Sequence, residues 1–200
     1  MIAPEQVVAV TLAAGLSRRF GGDKLSAPIM GTRVLDASMA ALDSLPFAGR
    51  AVVLNPARAD RWDRADVAVI RNTAPERGMG HSLALAARYA ADNDARFLLV
   101  TLADMPRISH ETIAALLRAG RDRGDALVAA RPDDMPPGPP AIFGRDWFAQ
   151  LSGAEGDTGA RNLLRDPAHA IVTLPLSAAE ALDIDTPADL YAADPERTED

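Results

Sequence analysis

The chain has no cysteine among its 200 residues, which excludes thiol nucleophiles, thiolate-bound zinc, iron–sulfur clusters and internal disulfides. It also lacks an excess of positive charge. With 21 Lys and Arg against 28 Asp and Glu the net charge is -7, so no broad cationic face for nucleic acid or anionic lipid is expected. Any polyanionic ligand must be met by a local cluster of cations. Long hydrophobic runs are missing too. The longest apolar run near the N-terminus, Val7 to Leu16, contains Thr11 and Gly15 and falls far short of the roughly 20 residues of a spanning helix. Met1 to Gln6 carry no basic leader signature. The expectation is a cytoplasmic protein without membrane or nucleic-acid partners. His81, His110 and His169 show no metal-ligand spacing and read as surface or capping residues, and Trp62 and Trp147 read as packing residues.

What is present is enough apolar content, 48%, to build a core. A single domain is expected over residues 1–193, followed by a polar tail, 194–200. Val7 to Leu12 is a β-branched apolar run that suits a strand buried on both faces. Further strands are expected at Ala51 to Leu54, Val67 to Ile70, Phe97 to Leu102 and Ala126 to Ala130. Helices are expected between them: Arg33 to Leu45, Leu83 to Tyr89, and one capped by Ser109 with an Ile113, Leu116, Leu117 stripe. This alternation is the pattern of a parallel α/β sheet with helices on both faces. Beyond Arg131 the rhythm changes. Residues 131–144 are proline-rich, Trp147 to Leu151 and Ala160 to Leu164 suit short helices, and Ile171 to Leu174 suits a strand.

Open parallel sheets bind ligands beyond the carboxyl ends of their strands, which directs attention to the residues after Leu12 and Leu102. The first strand runs into a loop with Gly15, Ser17, Arg18, Arg19, Gly21, Gly22 and Lys24, where small residues allow close backbone approach to phosphates and the cations neutralise them. The loop is expected to face solvent and ligand. It has neither a Gly-Lys-Ser/Thr ending nor a G-x-G-x-x-G, which counts against a P-loop NTPase and a dinucleotide dehydrogenase. A solvated glycine-rich loop is the plain alternative. Leu102-Ala103-Asp104-Met105-Pro106 delivers a carboxylate from the end of a strand, although a lone aspartate there is better read as a turn or cap residue. Leu182-Asp183-Ile184-Asp185-Thr186-Pro187 sets two carboxylates on one side of an extended segment, and Thr186-Pro187 also reads as a helix start. One or two carboxylates with substrate phosphates and waters suffice for magnesium, so Asp104 with one of Asp183 and Asp185 would serve. Gly78-Met79-Gly80-His81-Ser82 opens a helix, whose N-terminus suits an anionic or polar ligand. In the irregular half, Pro139, Pro140 and Ala141 with Asp157, Gly159 and Arg161 contain an arginine suited to an acceptor phosphate, although an ordinary surface arginine reads equally well there.

Taken in order, Leu12-Ala13-Ala14-Gly15 with Ser17, Arg19, Gly21 and Lys24, then Gly78 to Ser82, Leu102 to Pro106, Gly138 to Ala141, Gly156 to Arg161 and Asp183 to Pro187 resemble the MobA-like NTP transferase family. The resemblance spans nearly the whole chain. Ala14 and the Pro-Pro-Ala and Gly-Asp-x-Gly-Ala-Arg segments look most like the molybdopterin cytidylyltransferases of that family, whereas guanylyltransferases usually begin Leu-Ala-Gly-Gly. His81 stands where relatives often carry a smaller residue. The resemblance implies a Rossmann-like three-layer αβα nucleotidyltransferase fold with a mostly parallel sheet. It implies transfer of CMP from CTP to the phosphate of molybdopterin, with Asp104 and Asp185 on Mg2+ or Mn2+ and with Arg19, Lys24 and Asp104 catalytic. Leu12, Ala13, Ala14, Gly15, Ser17, Gly80 and Ser82 would join Arg19 and Lys24 in holding the nucleotide. Pro139, Pro140, Ala141, Asp157, Gly159 and Arg161 would serve the acceptor, and transient contact with a molybdoenzyme or a cofactor-insertion protein would follow. Two other readings stay open: a nucleotidyltransferase acting on a sugar phosphate or other small phosphorylated acceptor, and a non-catalytic nucleotide- or cofactor-binding protein.

Overall fold

A computed structural model describes residues 1–17, 19–156 and 160–194. The elements in chain order are β1 (Val7–Ala13), β2 (Pro28–Ile29), β3 (Thr32–Arg33), α1 (Val34–Asp43), β4 (Gly49–Leu54), α2 (Pro56–Ala59), β5 (Ala68–Arg71), α3 (Met79–Asp92), β6 (Phe97–Leu102), α4 (His110–Ala119), β7 (Leu127–Pro132), β8 (Gly138–Gly144), α5 (Phe148–Leu151), α6 (Arg161–Arg165), β9 (Val172–Leu176) and α7 (Pro187–Ala193). Seven strands form one sheet in the order β5-β4-β1-β6-β8-β7-β9. β1 pairs in parallel with β4 and β6, and β8 runs against both β6 and β7. β2 and β3 form a separate small hairpin whose turn residues, Met30 (φ 47) and Gly31 (φ 75), are both left-handed, as a tight two-residue turn between twisted strands requires.

Strand alternation explains the three layers. Val8, Val10 and Leu12 face one way, onto α3 through Leu83, Ala86, Ala87 and Ala90. Val7 and Ala9 face the other way, onto the Ile113, Leu116 and Leu117 stripe of α4, and Ala13 continues that side toward α1 through Val34 and Met39. Every residue of β1 is buried, which is why its run carries no polar alternation. The exception in side-chain chemistry, Thr11, is satisfied across the sheet by Thr101, Oγ1 to Oγ1 at 2.9 Å.

Most expected elements appear with shifted ends. The strand expected at Ala51 starts at Gly49, and the helix expected from Leu83 starts one turn earlier at Met79 and runs to Asp92. β8 is the substantive correction, because a proline-rich segment was expected to be irregular. Its two prolines lie at the start of the strand, where β6 no longer pairs with it and a register shift interrupts the β7 ladder between Ala129 and Ala130. Proline is tolerated at such strand starts and bulges because no ladder N–H is needed there. No helix among the described residues is long and apolar enough to cross a membrane.

The start of α4 is fixed by more than its cap. Ser109 Oγ accepts from the Thr112 N–H, and Glu180 Oε1 accepts from the Ser109 N–H, Ser109 Oγ and Thr112 Oγ1, while Ser177 Oγ donates to Oε2. Burial alone would raise the Glu180 carboxyl, but the bonds from Thr112, Ser109 and Ser177 outweigh it and hold it below the ordinary glutamate value. A depressed carboxylate stabilises the fold above its unfolded value and loses that contribution as pH falls through its folded value. Glu180→Gln is therefore expected to cost on the order of 1–2 kcal/mol at neutral pH, with the gap to wild type closing below about pH 4. Urea unfolding at the two pH values checks this; a gap that persists in acid contradicts it.

Candidate active site

The carboxyl ends of β1 and β6 lie side by side, with Leu12 opposite Leu102 and the Ala103 N–H bonded to the Leu12 carbonyl at 3.1 Å. Both strands stop there, and the two following loops splay to open a cleft of about 420 Å³. Its floor and one wall are Leu12, Ala13, Ala14, Gly15 and Ser17; Pro75, Glu76, Gly78, Met79 and Ser82 form the opposite wall; Arg19, Lys24, Asp104 and Asp185 converge at one end.

That charged end is assembled from three separate parts of the chain. Asp104 follows β6, and its backbone carbonyl accepts the Ile184 N–H at 2.8 Å. Ile184 is fully buried and anchors its segment in the core, which leaves the flanking Asp183 and Asp185 to face outward. Asp185 is held from behind by the capping box of α7, where Asp189 Oδ2 accepts from the Asp185 and Thr186 N–H groups. Lys24 arrives on a single 3-10 turn, Lys24–Ser26, whose cap Asp23 accepts from Ser26 and pairs with Arg58.

Lys24 Nζ donates to Asp104 Oδ2 at 2.9 Å and to Asp185 Oδ1 at 3.1 Å, so one ammonium joins both carboxylates. Arg19 Nη1 takes the other Asp185 oxygen at 2.7 Å. Lys24 lines the cleft but is only 8% exposed, because the two carboxylates draw its side chain inward under the loop, so at this residue the loop faces the cleft rather than open solvent. Burial alone would depress the Lys24 ammonium, yet Asp104 and Asp185 together hold it above the ordinary lysine value. Partial desolvation, reinforced by the charges of Asp104 and Asp185, raises the Asp183 carboxyl above the ordinary aspartate value. Among the described residues no cluster of three acidic or histidine side chains is arranged to hold a metal by itself. The donor set on offer is the Asp104 and Asp185 pair, side chains 26% and 37% exposed and therefore open to the cleft.

The loop after β1 is strained in the way a ligand-binding loop can be. Ser17 has φ 49, in the left-handed region, and its Oγ is buried without a hydrogen-bond partner among the described residues. Gly80 has a different job. It does not line the cleft; its N–H donates to the Gly156 carbonyl at 2.7 Å, and a Cβ would lie 2.6 Å from the Glu155 carbonyl carbon. Gly80→Ala is accordingly expected to cost about 1–3 kcal/mol by pushing the 152–156 loop off α3. Thermal unfolding measures this directly, and an unchanged midpoint would mean that the loop yields freely.

A second cavity, about 340 Å³, adjoins the cleft across Leu12, Met79 and Leu102. Its walls are apolar, with Leu83, Val100, Pro139, Ala141, Phe143 and Leu164, and the exposed Arg161 and Arg165 of α6 stand at it. Of the residues expected to serve an acceptor, Pro139, Ala141 and Arg161 lie here. Pro140 is buried in β8 but does not line the cavity, and Asp157 and Gly159 lie outside the described residues. Sequence reading missed Arg165, although its spacing of four from Arg161 on a helix places the two on one face. It also missed Asn72, fully buried behind the cleft wall.

The histidines and tryptophans behave as expected. His110 Nδ1 pairs with Ser44 Oγ, His169 Nδ1 with the Leu163 carbonyl, and His81 lies on α3 outside the residues lining either cavity. Trp62 and Trp147 spend their indole N–H groups on backbone carbonyls, of Arg64 and Asp125 respectively.

The fold and the whole length of the chain have close counterparts. A crystal structure of a Mycobacterium tuberculosis Rv0371c homologue from Mycobacterium sp. strain JC1 superposes with a TM-score of 0.78 at 26% identity, over 94% of this chain and 97% of that one. Rv0371c itself, solved in complex with manganese, superposes with a TM-score of 0.75 at 25% identity over 94% and 97% of the two chains. A nucleotidyl transferase from Methanothermobacter thermautotroptrophicus shares the fold, with a TM-score of 0.78 at 22% identity over 95% and 96%. Among curated proteins, the purine catabolism protein PucB of Bacillus subtilis (strain 168) is 30% identical across 90% of this chain and 92% of its own length. The model of the MobA-like NTP transferase domain matches residues 9–172, which contain both strand ends that open the cleft, and the protein belongs to this family of nucleotidyltransferases.

Proposed function

We propose that the protein transfers CMP from CTP to the phosphate of a molybdopterin-type acceptor, with release of pyrophosphate and with magnesium as the metal, in the cytoplasm. The observation that carries this reading is the meeting of Asp104 and Asp185 on one Lys24 ammonium at the mouth of a cleft that continues into an apolar cavity edged by two arginines. Such an acceptor has a flat heterocycle suited to walls of Phe143, Leu83, Leu164 and Pro139, and a phosphate suited to Arg161 and Arg165. A sugar phosphate fits less well, because apolar walls leave its hydroxyls without partners. The product would pass on through transient contact with a molybdoenzyme or a cofactor-insertion protein.

An oxygen of the acceptor phosphate attacks the α-phosphorus in line, the bond to the bridging oxygen of the β-phosphate breaks, and pyrophosphate leaves. The nucleophile is anionic at neutral pH, so no general base is needed, in keeping with a cleft lined by no histidine among the described residues. Arg19 and Lys24 offset the charge of the triphosphate and of the departing pyrophosphate. Asp104 and Asp185 fit a divalent cation: they are hard oxygen donors that already share one positive charge, and Mg2+ is commonly held by one or two carboxylates with substrate phosphates. When bound, the cation would supply further charge neutralisation at the phosphates. The manganese in the Rv0371c complex supports a divalent ion in this role.

The test is an activity matrix of four NTPs against molybdopterin, sugar phosphates and no acceptor. Pyrophosphate release with CTP and molybdopterin alone is expected. Comparable rates with sugar phosphates would overturn the acceptor, and acceptor-independent or absent release would overturn the reaction.

A further inference from the structure

We infer that Asn72 governs which nucleobase the cleft accepts, by fixing the direction in which Ser82 donates its hydrogen. The inference rests on the nucleotidyltransferase reading, with the base lying against Ser82.

Asn72 follows β5, is fully buried, and makes three hydrogen bonds. Its N–H donates to the Leu54 carbonyl at 2.8 Å, which seats it beside the end of β4. Its side-chain Oδ1 accepts the Ala74 N–H at 2.9 Å, and that bond decides the orientation of the amide, because only the oxygen can accept. The NH2 group is thereby turned toward Ser82, and Nδ2 donates to Ser82 Oγ at 3.0 Å.

Ser82 sits in the first turn of α3, is 5% exposed, and lines the cleft. A hydroxyl carries one hydrogen, and here a lone pair is committed to Asn72. Ser38 in α1 and Ser152 just after α5 donate to the carbonyl four residues back; Ser82 makes no such bond among the described residues. Its hydrogen is left for the cleft. The wall therefore offers that hydrogen where a base would lie; the 2-carbonyl oxygen of a pyrimidine accepts it, whereas the 2-amino group of guanine can only donate to the remaining Ser82 lone pair and leaves the hydrogen unpaired. A buried donor left without an acceptor disfavours the mismatched base, while the bond from Asn72 to Ser82 is kept with either base. Asn72 also holds the turn at Ala74 that leads into the cleft-lining Pro75 and Glu76, so hydroxyl and wall are set by one residue. It touches no ligand itself and is a positioning residue.

The experiment compares kcat and KM for CTP and GTP in wild type, Asn72→Asp, Asn72→Leu and Ser82→Ala, with circular dichroism to verify folding. The carboxylate introduced by Asn72→Asp can only accept, which would turn the Ser82 hydrogen away and show lone pairs to the cleft. The CTP-to-GTP ratio of kcat/KM is expected to fall at least tenfold in Asn72→Asp, mainly through KM for CTP. Asn72→Leu, which adds no buried charge, is expected to lower the ratio about as much as Ser82→Ala, and the Asn72→Leu, Ser82→Ala double variant no further. Folded variants that keep the wild-type ratio, or lose both nucleotides equally, overturn the inference. A wild type that prefers another base, with variants that still shift the ratio, would sink the CTP assignment and leave the role of Asn72 intact.

Discussion

Asp104→Ala is expected to lower kcat by at least about a hundredfold to a thousandfold while the protein stays folded. The magnitude is that of losing one preorganised charged group at a reacting phosphate, roughly 3–4 kcal/mol of transition-state stabilisation. The fold survives because the structural work of Asp104 is done by its backbone: its carbonyl accepts from Ile184, and alanine keeps that bond. Its side chain, 26% exposed, makes one bond among the described residues, to Lys24. Steady-state rates at saturating nucleotide and metal, alongside the thermal midpoint, separate the two effects. Near-normal turnover would remove Asp104 from the chemistry, and a collapsed midpoint would make it a structural residue.

Lys24→Met is expected to act on rate and stability together. Losing the ammonium should lower kcat/KM by about a hundredfold, since one of the two cations proposed to offset the triphosphate charge is gone. It also leaves Asp104 and Asp185 turned toward each other without their shared counter-charge. Breaking a buried ion pair costs about 3–5 kcal/mol, and with carboxylates 26% and 37% exposed a smaller loss, about 1–3 kcal/mol, is expected here. For a chain of this size that lowers the thermal midpoint by several degrees, at roughly 2–4 °C per kcal/mol. Excess Mn2+ should then raise the midpoint of the variant by more than it raises that of wild type, because a divalent ion replaces the missing charge. An equal response in both proteins would show that the carboxylates do not serve a cation.

These expectations also mark where sequence reading ends. β1 and β6 are legible because a strand buried on both faces needs an unbroken apolar run, and the residues that follow such strands in a parallel sheet lead into a crevice. Thr186-Pro187 is legible as a helix start because capping is local chemistry. The burial of Lys24 is not: it comes from carboxylates 80 and 161 positions away, whereas the immediate neighbours Gly21, Gly22 and Asp23 suggest an exposed loop. β8 escapes for a similar reason, since its local proline content argues against a strand and the ladders that secure Ala141 to Gly144 run to residues in β6 and β7. Asn72 leaves no signature beyond standing after a short β-rich run, and its meaning depends on Ser82 lying opposite. Gly80 is legible as a glycine that matters but not for its reason, which is the approach of the Glu155 backbone.

The most direct test of the account is a titration of Mn2+ followed by electron paramagnetic resonance, in the presence of CTP, for wild type, Asp104→Asn and Asp185→Asn. One protein-bound ion per chain is predicted for wild type, with its affinity lowered at least tenfold in each variant. Wild-type affinity in both variants would contradict the claim that Asp104 and Asp185 together hold the metal.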